Sequence, residues 1–137
     1  PITTHKNITS GGSGAGIIRL TTSALVASGS LGYTPGAGGT QTHGTSRTTG
    51  VTLDKICGAI TLFSAAGSTT PATFTVTNST VAATDTIIVN QKSGTDLYTL
   101  SVTRVATGAF DITFNTKSGT TVEQPVFNFT VLKAVTS

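Results

Sequence analysis

The sequence predicts an all-β chain: an antiparallel β-sandwich or jelly-roll-like domain preceded by an N-terminal arm. Three observations predict it, namely an excess of β-branched Thr and Val, apolar bursts of strand length, and turn residues between those bursts. Only 9% of the 137 residues are charged, against about a quarter in ordinary soluble domains, and Thr, Ser and Gly fill much of the remainder. Thr is stiff at its first torsion, which suits a pleated surface and disfavours a helix. A polar composition could also mean disorder, but that state accompanies low hydrophobicity and high net charge. Here 36% of residues are apolar and the mean hydropathy is +0.20, enough for one compact domain to bury a core.

Residues 1–31 mix polar positions with the flexible run Gly11-Gly12-Ser13-Gly14-Ala15-Gly16 and the apolar burst Ile17-Ile18-Arg19-Leu20. They read as an arm that can reach away from the body, the alternative being edge strands of the same fold. Residues 32–137 read as the β-sandwich domain. Around its start, residues 31–40 form a Gly-rich loop with a Pro35-Gly36 turn signal. That loop lacks the Lys and following Ser or Thr of a phosphate-binding loop, and the helix that a dinucleotide fingerprint needs.

Strands are expected at residues 51–53, 59–63, 73–77, 86–90, 97–105, 110–114 and 126–132. Turn material separates them, including Ala66-Gly67-Ser68, Asn78-Ser79-Thr80, Lys92-Ser93-Gly94-Thr95, Thr107-Gly108 and Lys117-Ser118-Gly119. In residues 97–103 and 110–114 apolar and polar residues alternate, the mark of a sheet with one face in the core. The last burst, residues 126–132, carries apolar side chains at successive positions near its end, as a strand covered on both faces does. Either the domain itself or another subunit supplies the second cover, and Val126, Phe127, Phe129 and Val131 are the candidate subunit contacts.

The eight basic and five acidic residues give a formal charge of +3 and a pI near 9.4. The bases are scattered singly, without the run or the interleaved aromatics that track nucleic acid. No stretch approaches the roughly 18 apolar residues of a membrane span, and the N-terminus does not have the form of a signal peptide. Pro1 is what removal of an initiator Met would leave, so a cytoplasmic origin is expected. Cys57 is alone, so no intrachain disulfide can form, and it is expected to pack as a small buried hydrophobe.

His5 and His43 fall in polar or Gly-rich segments and read as solvated, with no second ligand at metal-binding spacing. Asp54, Asp85, Asp96, Asp111 and Glu123 are isolated from one another, and no Gly-x-Ser-x-Gly elbow occurs. Asp85 and Asp96 read as turn residues that bond local amides. No catalytic, cofactor-binding or metal-binding residue is expected. Three Asn-x-Ser/Thr sequences, at Asn7, Asn78 and Asn128, arise readily in a Thr-rich chain and are discounted as glycosylation sites.

The stretch from Leu31 to the C-terminus carries an ordered series: Leu31-Gly32-Tyr33, Gly36-Ala37-Gly38-Gly39-Thr40, Gly50-Val51-Thr52-Leu53-Asp54-Lys55, Gly58-Ala59-Ile60-Thr61, Phe74-Thr75-Val76-Thr77-Asn78-Ser79 and Ala82-Ala83-Thr84-Asp85. It closes on Val126-Phe127-Asn128-Phe129-Thr130-Val131-Leu132-Lys133-Ala134. The series resembles a β-rich module of tailed-bacteriophage virion proteins, found in small virion proteins and in fibre-type proteins. The turn between Lys92 and Asp96 is shorter than that pattern, so loop-borne recognition does not carry over. The resemblance implies a virion location and a trimer, and it implies no catalytic residue.

A capsid decoration (cement) protein is the function expected, binding the outer capsid surface with the major capsid protein as partner. His5, Lys6, Ile8, Ile17, Ile18, Arg19 and Leu20 on the arm are the expected capsid contacts, and an arm ordered on docking can cover a wide surface. The alternative is a tail-fibre or head-fibre tip that binds a host glycan or surface protein. Shallow sugar sites use aromatic platforms, and this chain has no Trp and only Tyr33 and Tyr98. A bacterial adhesin module is a third, non-viral reading. Three copies about an axis would also cover the sheet edges that otherwise invite uncontrolled pairing.

Overall fold

The computed structural model describes residues 28–135. The chain divides into two units, Pro1–Gly32 and Tyr33–Ser137, and the ten strands of the described residues all lie in the second. They are β1 (Gly38–Thr42), β2 (Val51–Thr52), β3 (Cys57–Thr61), β4 (Ala65–Ala66), β5 (Ala72–Thr77), β6 (Thr86–Ser93), β7 (Tyr98–Ala106), β8 (Ala109–Thr116), β9 (Val122–Glu123) and β10 (Val126–Leu132). Among the described residues there is no helix, so they form an all-β domain.

Two four-stranded sheets are formed, in the orders β1-β3-β10-β6 and β2-β5-β8-β7, with β4 and β9 paired as a small ladder. Both large sheets are mixed, which corrects the antiparallel expectation. β3, β10 and β6 are antiparallel neighbours, and so are β5, β8 and β7, but β1 runs parallel to β3 and β2 parallel to β5. A parallel pair needs a long crossover rather than a hairpin. Residues 43–56 provide one by placing β2 in the other sheet before the chain returns as β3 beside β1.

Side chains alternate across each strand. In β8, Phe110, Ile112, Phe114 and Thr116 are buried, and in β10 the buried positions are Phe127, Phe129 and Val131. Rings of the two sheets meet in one core: Phe110 and Phe129 have centroids 5.2 Å apart, Phe114 and Phe127 5.7 Å, and Tyr98 and Phe127 5.4 Å. These are the edge-on and tilted spacings that aromatic quadrupoles favour. β10 is thus a central strand covered on one face by the other sheet of its own chain. Its outward residues stay half-buried or, at Leu132, exposed, so the expected cover on both faces is corrected to one. Of the residues considered for a subunit contact, Phe127, Phe129 and Val131 lie in this core, and only Val126 is on the outer face.

Two glycines set tight turns. Gly108, at φ 81°, closes the two-residue connection from β7 to β8, and Gly36, at φ 89°, follows Pro35 in a turn closed by Ala37 N–H on Thr34 O at 3.1 Å. Both occupy the left-handed region that side chains avoid. Elsewhere glycine permits close approach. A Cβ on Gly58 would stand 2.7 Å from the Gly39 carbonyl oxygen and 2.8 Å from Leu53, so the β1–β3 pair can lie flat on Leu53 only without it.

Candidate interaction face

The densest polar cluster sits around Arg47. Its five N–H donors meet five acceptors: the carbonyls of Phe63 (2.9 Å), Ala66 (3.4 Å), Ala65 (2.5 Å) and Glu123 (2.6 Å), and the Tyr98 hydroxyl (3.0 Å). A guanidinium has no further donor to give. The Tyr98 hydroxyl donates to Glu123 Oε1 at 3.2 Å, and the Glu123 carboxylate also accepts the Thr95 and Asp96 amides. Burial alone would raise the Glu123 carboxyl, yet these amides and the hydroxyl hold it below its ordinary value. Asp96 in turn accepts from Thr121 N–H and Oγ1 at 2.9 and 2.7 Å, with Gly67 and Gly119 leaving it room. Every member is engaged, so the cluster clasps four loops together.

His43 departs from the solvated role expected of it. Only 3% of it is exposed, its ring stands edge-on to Phe74 at 4.6 Å, and neither ring nitrogen has a partner. Burial lowers its pKa. Loss of solvent, rather than any neighbouring charge, disfavours its charged form.

The outer face of the β2-β5-β8-β7 sheet is bonded to itself. Thr113 Oγ1 lies 2.7 Å from Thr73 Oγ1 and 2.9 Å from Thr103 Oγ1, Thr75 donates to Asp111 at 2.7 Å, and Arg104 grips the same carboxylate at 2.7 and 2.9 Å. A bulge between Val102 and Arg104 lets Thr103 and Arg104 both face outward before Val105 returns to the core. Arg104, as pair partner, is the main reason that the Asp111 pKa is lowered.

The outer face of the β1-β3-β10-β6 sheet is different. Strand register puts Thr40, Ala59, Asn128 and Asn90 in one row across it, and Gly38, Cys57, Thr130 and Ile88 in the next. The middle of both rows is short side chains, and they floor an open depression of about 320 Å³ with Lys92 on its rim. Cys57 is half-buried there on the outer side, where the sequence suggested a core position. Ile88 and Leu132 stand beyond the depression, 52% and 44% exposed. Asn90 makes one long side-chain bond, to Gln91 O at 3.3 Å; among the described residues, Thr40, Lys92, Asn128 and Thr130 make none through their side chains.

Among the described residues no three His, Cys, Asp or Glu side chains gather as a metal site. The expected capsid contacts His5, Lys6, Ile8, Ile17, Ile18, Arg19 and Leu20 lie outside the described residues. Asp85 bonds a local amide as expected, with Ala82 N–H on it at 2.8 Å, whereas the Asp96 carboxylate departs from that reading and reaches across to Thr121. Asn78 is fully buried, its amide donating to Lys55 O at 2.7 Å and its oxygen accepting from Thr80, so its glycosylation sequence is closed to modification in the folded chain. Sequence reasoning missed both the clasp and the depression. A lone Arg in a Ser/Thr segment gave no sign of the first, and the glycines around residue 38, which read as a loop, gave none of the second.

No protein-family model, no curated protein and no solved structure matches the chain.

Proposed function

We propose that this chain is a non-enzymatic structural protein of a tailed-phage particle, a decoration protein that seats on the outer capsid surface and stabilises the shell. In this reading the two mixed sheets pack as a β-sandwich and three copies assemble about an axis. The observation that carries it is the contrast between the two outer sheet faces: one bonded to itself, the other broad and floored by short side chains whose polar neighbours are unengaged. A surface of that kind suits coverage by another protein.

The saturated clasp around Arg47 supports the same reading. It ties loops into a rigid frame, which serves a shell-bracing role. The major capsid protein is the proposed partner, with the N-terminal arm as a second point of attachment. The fibre-tip alternative finds less support, because the open depression offers no aromatic platform for a sugar.

The test is sedimentation of the full chain with capsids stripped of accessory proteins, and separately with host cells. Saturable binding to capsids and none to cells is expected. Binding to cells alone would move the protein to the receptor-binding class. Sedimentation equilibrium of the free chain at micromolar concentration is expected to return the mass of three copies, and a monomer would refute the trimer.

A further inference from the structure

We infer that the depression on the β1-β3-β10-β6 face is a docking site for an acidic polypeptide segment. This deepens the decoration reading, on which it rests only for where that segment is found.

The first argument is charge. All five side-chain carboxylates of the chain are engaged within it. Asp54 accepts the Ser79 amide at 2.7 Å, Asp85 pairs with Lys133 at 2.6 Å, Asp96 holds Thr121, Asp111 holds Arg104, and Glu123 holds the amides of Thr95 and Asp96. Arg47, Arg104 and Lys133 are likewise engaged, and Lys55 bonds Gly36 O at 3.3 Å. Among the described residues, Lys92 and Lys117 are the cations left without an acceptor, and Lys92 is the one on this face. No carboxylate lines the depression. A second copy carries the same net charge of +3 and offers as an exposed carboxylate Asp54, whose Oδ1 already holds the Ser79 amide, so charge favours an unlike, acidic chain as the complementary partner.

The second argument is shape. Gly38, Cys57 and Ala59 keep the floor low across three strands, while Asn90, Asn128 and Thr130 present amide and hydroxyl groups that can both donate and accept. That set matches the alternating N–H and C=O groups of an extended backbone. It offers a sugar ring no aromatic face to stack against. Phe129 turns its ring into the core against Phe110, and Tyr98 is held by Arg47.

The probe is a Glu-rich dodecapeptide titrated into the isotope-labelled full chain, with its Gln-for-Glu counterpart and an oligogalacturonate as comparisons. Saturable shifts in the amides around Ala59, Asn90 and Asn128 are expected with the acidic peptide alone, weakening as salt rises. Lys92→Glu, at an exposed position, is expected to reduce affinity roughly fivefold or more. Ala59→Tyr is expected to abolish binding by filling the floor, and Lys117→Glu to leave it unchanged. Binding that ignores Lys92→Glu, or that prefers the oligogalacturonate, would overturn the assignment. Capsid sedimentation separates the two claims. Undiminished capsid binding by Lys92→Glu sinks this inference while the decoration reading stands, and peptide binding without any capsid binding does the reverse.

Discussion

Arg47 and His43 are four positions apart and illustrate opposite outcomes of burying a polar side chain. Arg47 has every donor satisfied, so replacing it strands four carbonyls and a hydroxyl. Each acceptor left unmet costs about 1–3 kcal/mol where water cannot replace the donor. Arg47→Met is therefore expected to lower stability by several kcal/mol in urea unfolding, and Arg47→Lys to recover only part of that loss, having three donors and no planar fork. His43 has no such partners, and its pKa is held below 6.5 by burial. As pH falls through about 6.5 the unfolded chain takes up a proton that the folded chain refuses, so stability falls with it. Acid titration of the urea midpoint is expected to show this loss, and His43→Leu to remove it. A separate decline is expected below the ordinary carboxylate range, where Asp85 and Glu123, whose pKa values are lowered, become protonated. Neither role was legible in the sequence. A His among Thr and Gly looks solvated until the fold brings Phe74 against it, and an isolated Arg says nothing about carbonyls supplied from residues 63–66 and 123.

At the scale of strands, more could be read. Residues 126–132 were expected as a strand and form β10 with those bounds, and β5 to β8 follow the expected bursts within a few residues. Alternating residues with large apolar members leave little choice of face. β1, β4 and β9 were not expected. β4 and β9 are two residues each, and β1 is Gly-Gly-Thr-Gln-Thr, whose glycines signalled a loop but serve here as flat contacts. The parallel pairing of β1 and β2 was equally hidden, because periodicity sets a strand's faces and not its neighbours. Gly58→Ala tests the flat contact: its Cβ would press on the Gly39 carbonyl and Leu53. A loss of about 1–3 kcal/mol is expected for such overpacking, read as a lower thermal midpoint, with β1 amides exchanging faster.

For the molecule as a whole, the all-β class was legible from composition, and the pairing of sheets was not. Seven expected strands spaced by turns are equally compatible with hairpins throughout, whereas the chain departs from hairpins where residues 38–52 place one strand on each sheet. That placement has a consequence for the order of assembly. β1 and β2 each add to a sheet whose other three strands are already antiparallel neighbours, so the ladders of β3, β10 and β6 and of β5, β8 and β7 can form before them. Because β3 finds β10 only across most of the domain's length, loop closure makes this a slow-folding topology. The segment of β1 and β2 is then expected to close after the rate-limiting barrier, as the last piece laid down and the first to lift. Gly39→Ala, which crowds Leu53 and Lys55 beneath β1, is expected to accelerate unfolding while leaving the refolding rate nearly unchanged in stopped-flow chevrons. A refolding limb slowed as much as the unfolding limb is quickened would place β1 in the folding nucleus instead. In the decoration role proposed above, the lifetime of the protein on a particle would be set by that seam.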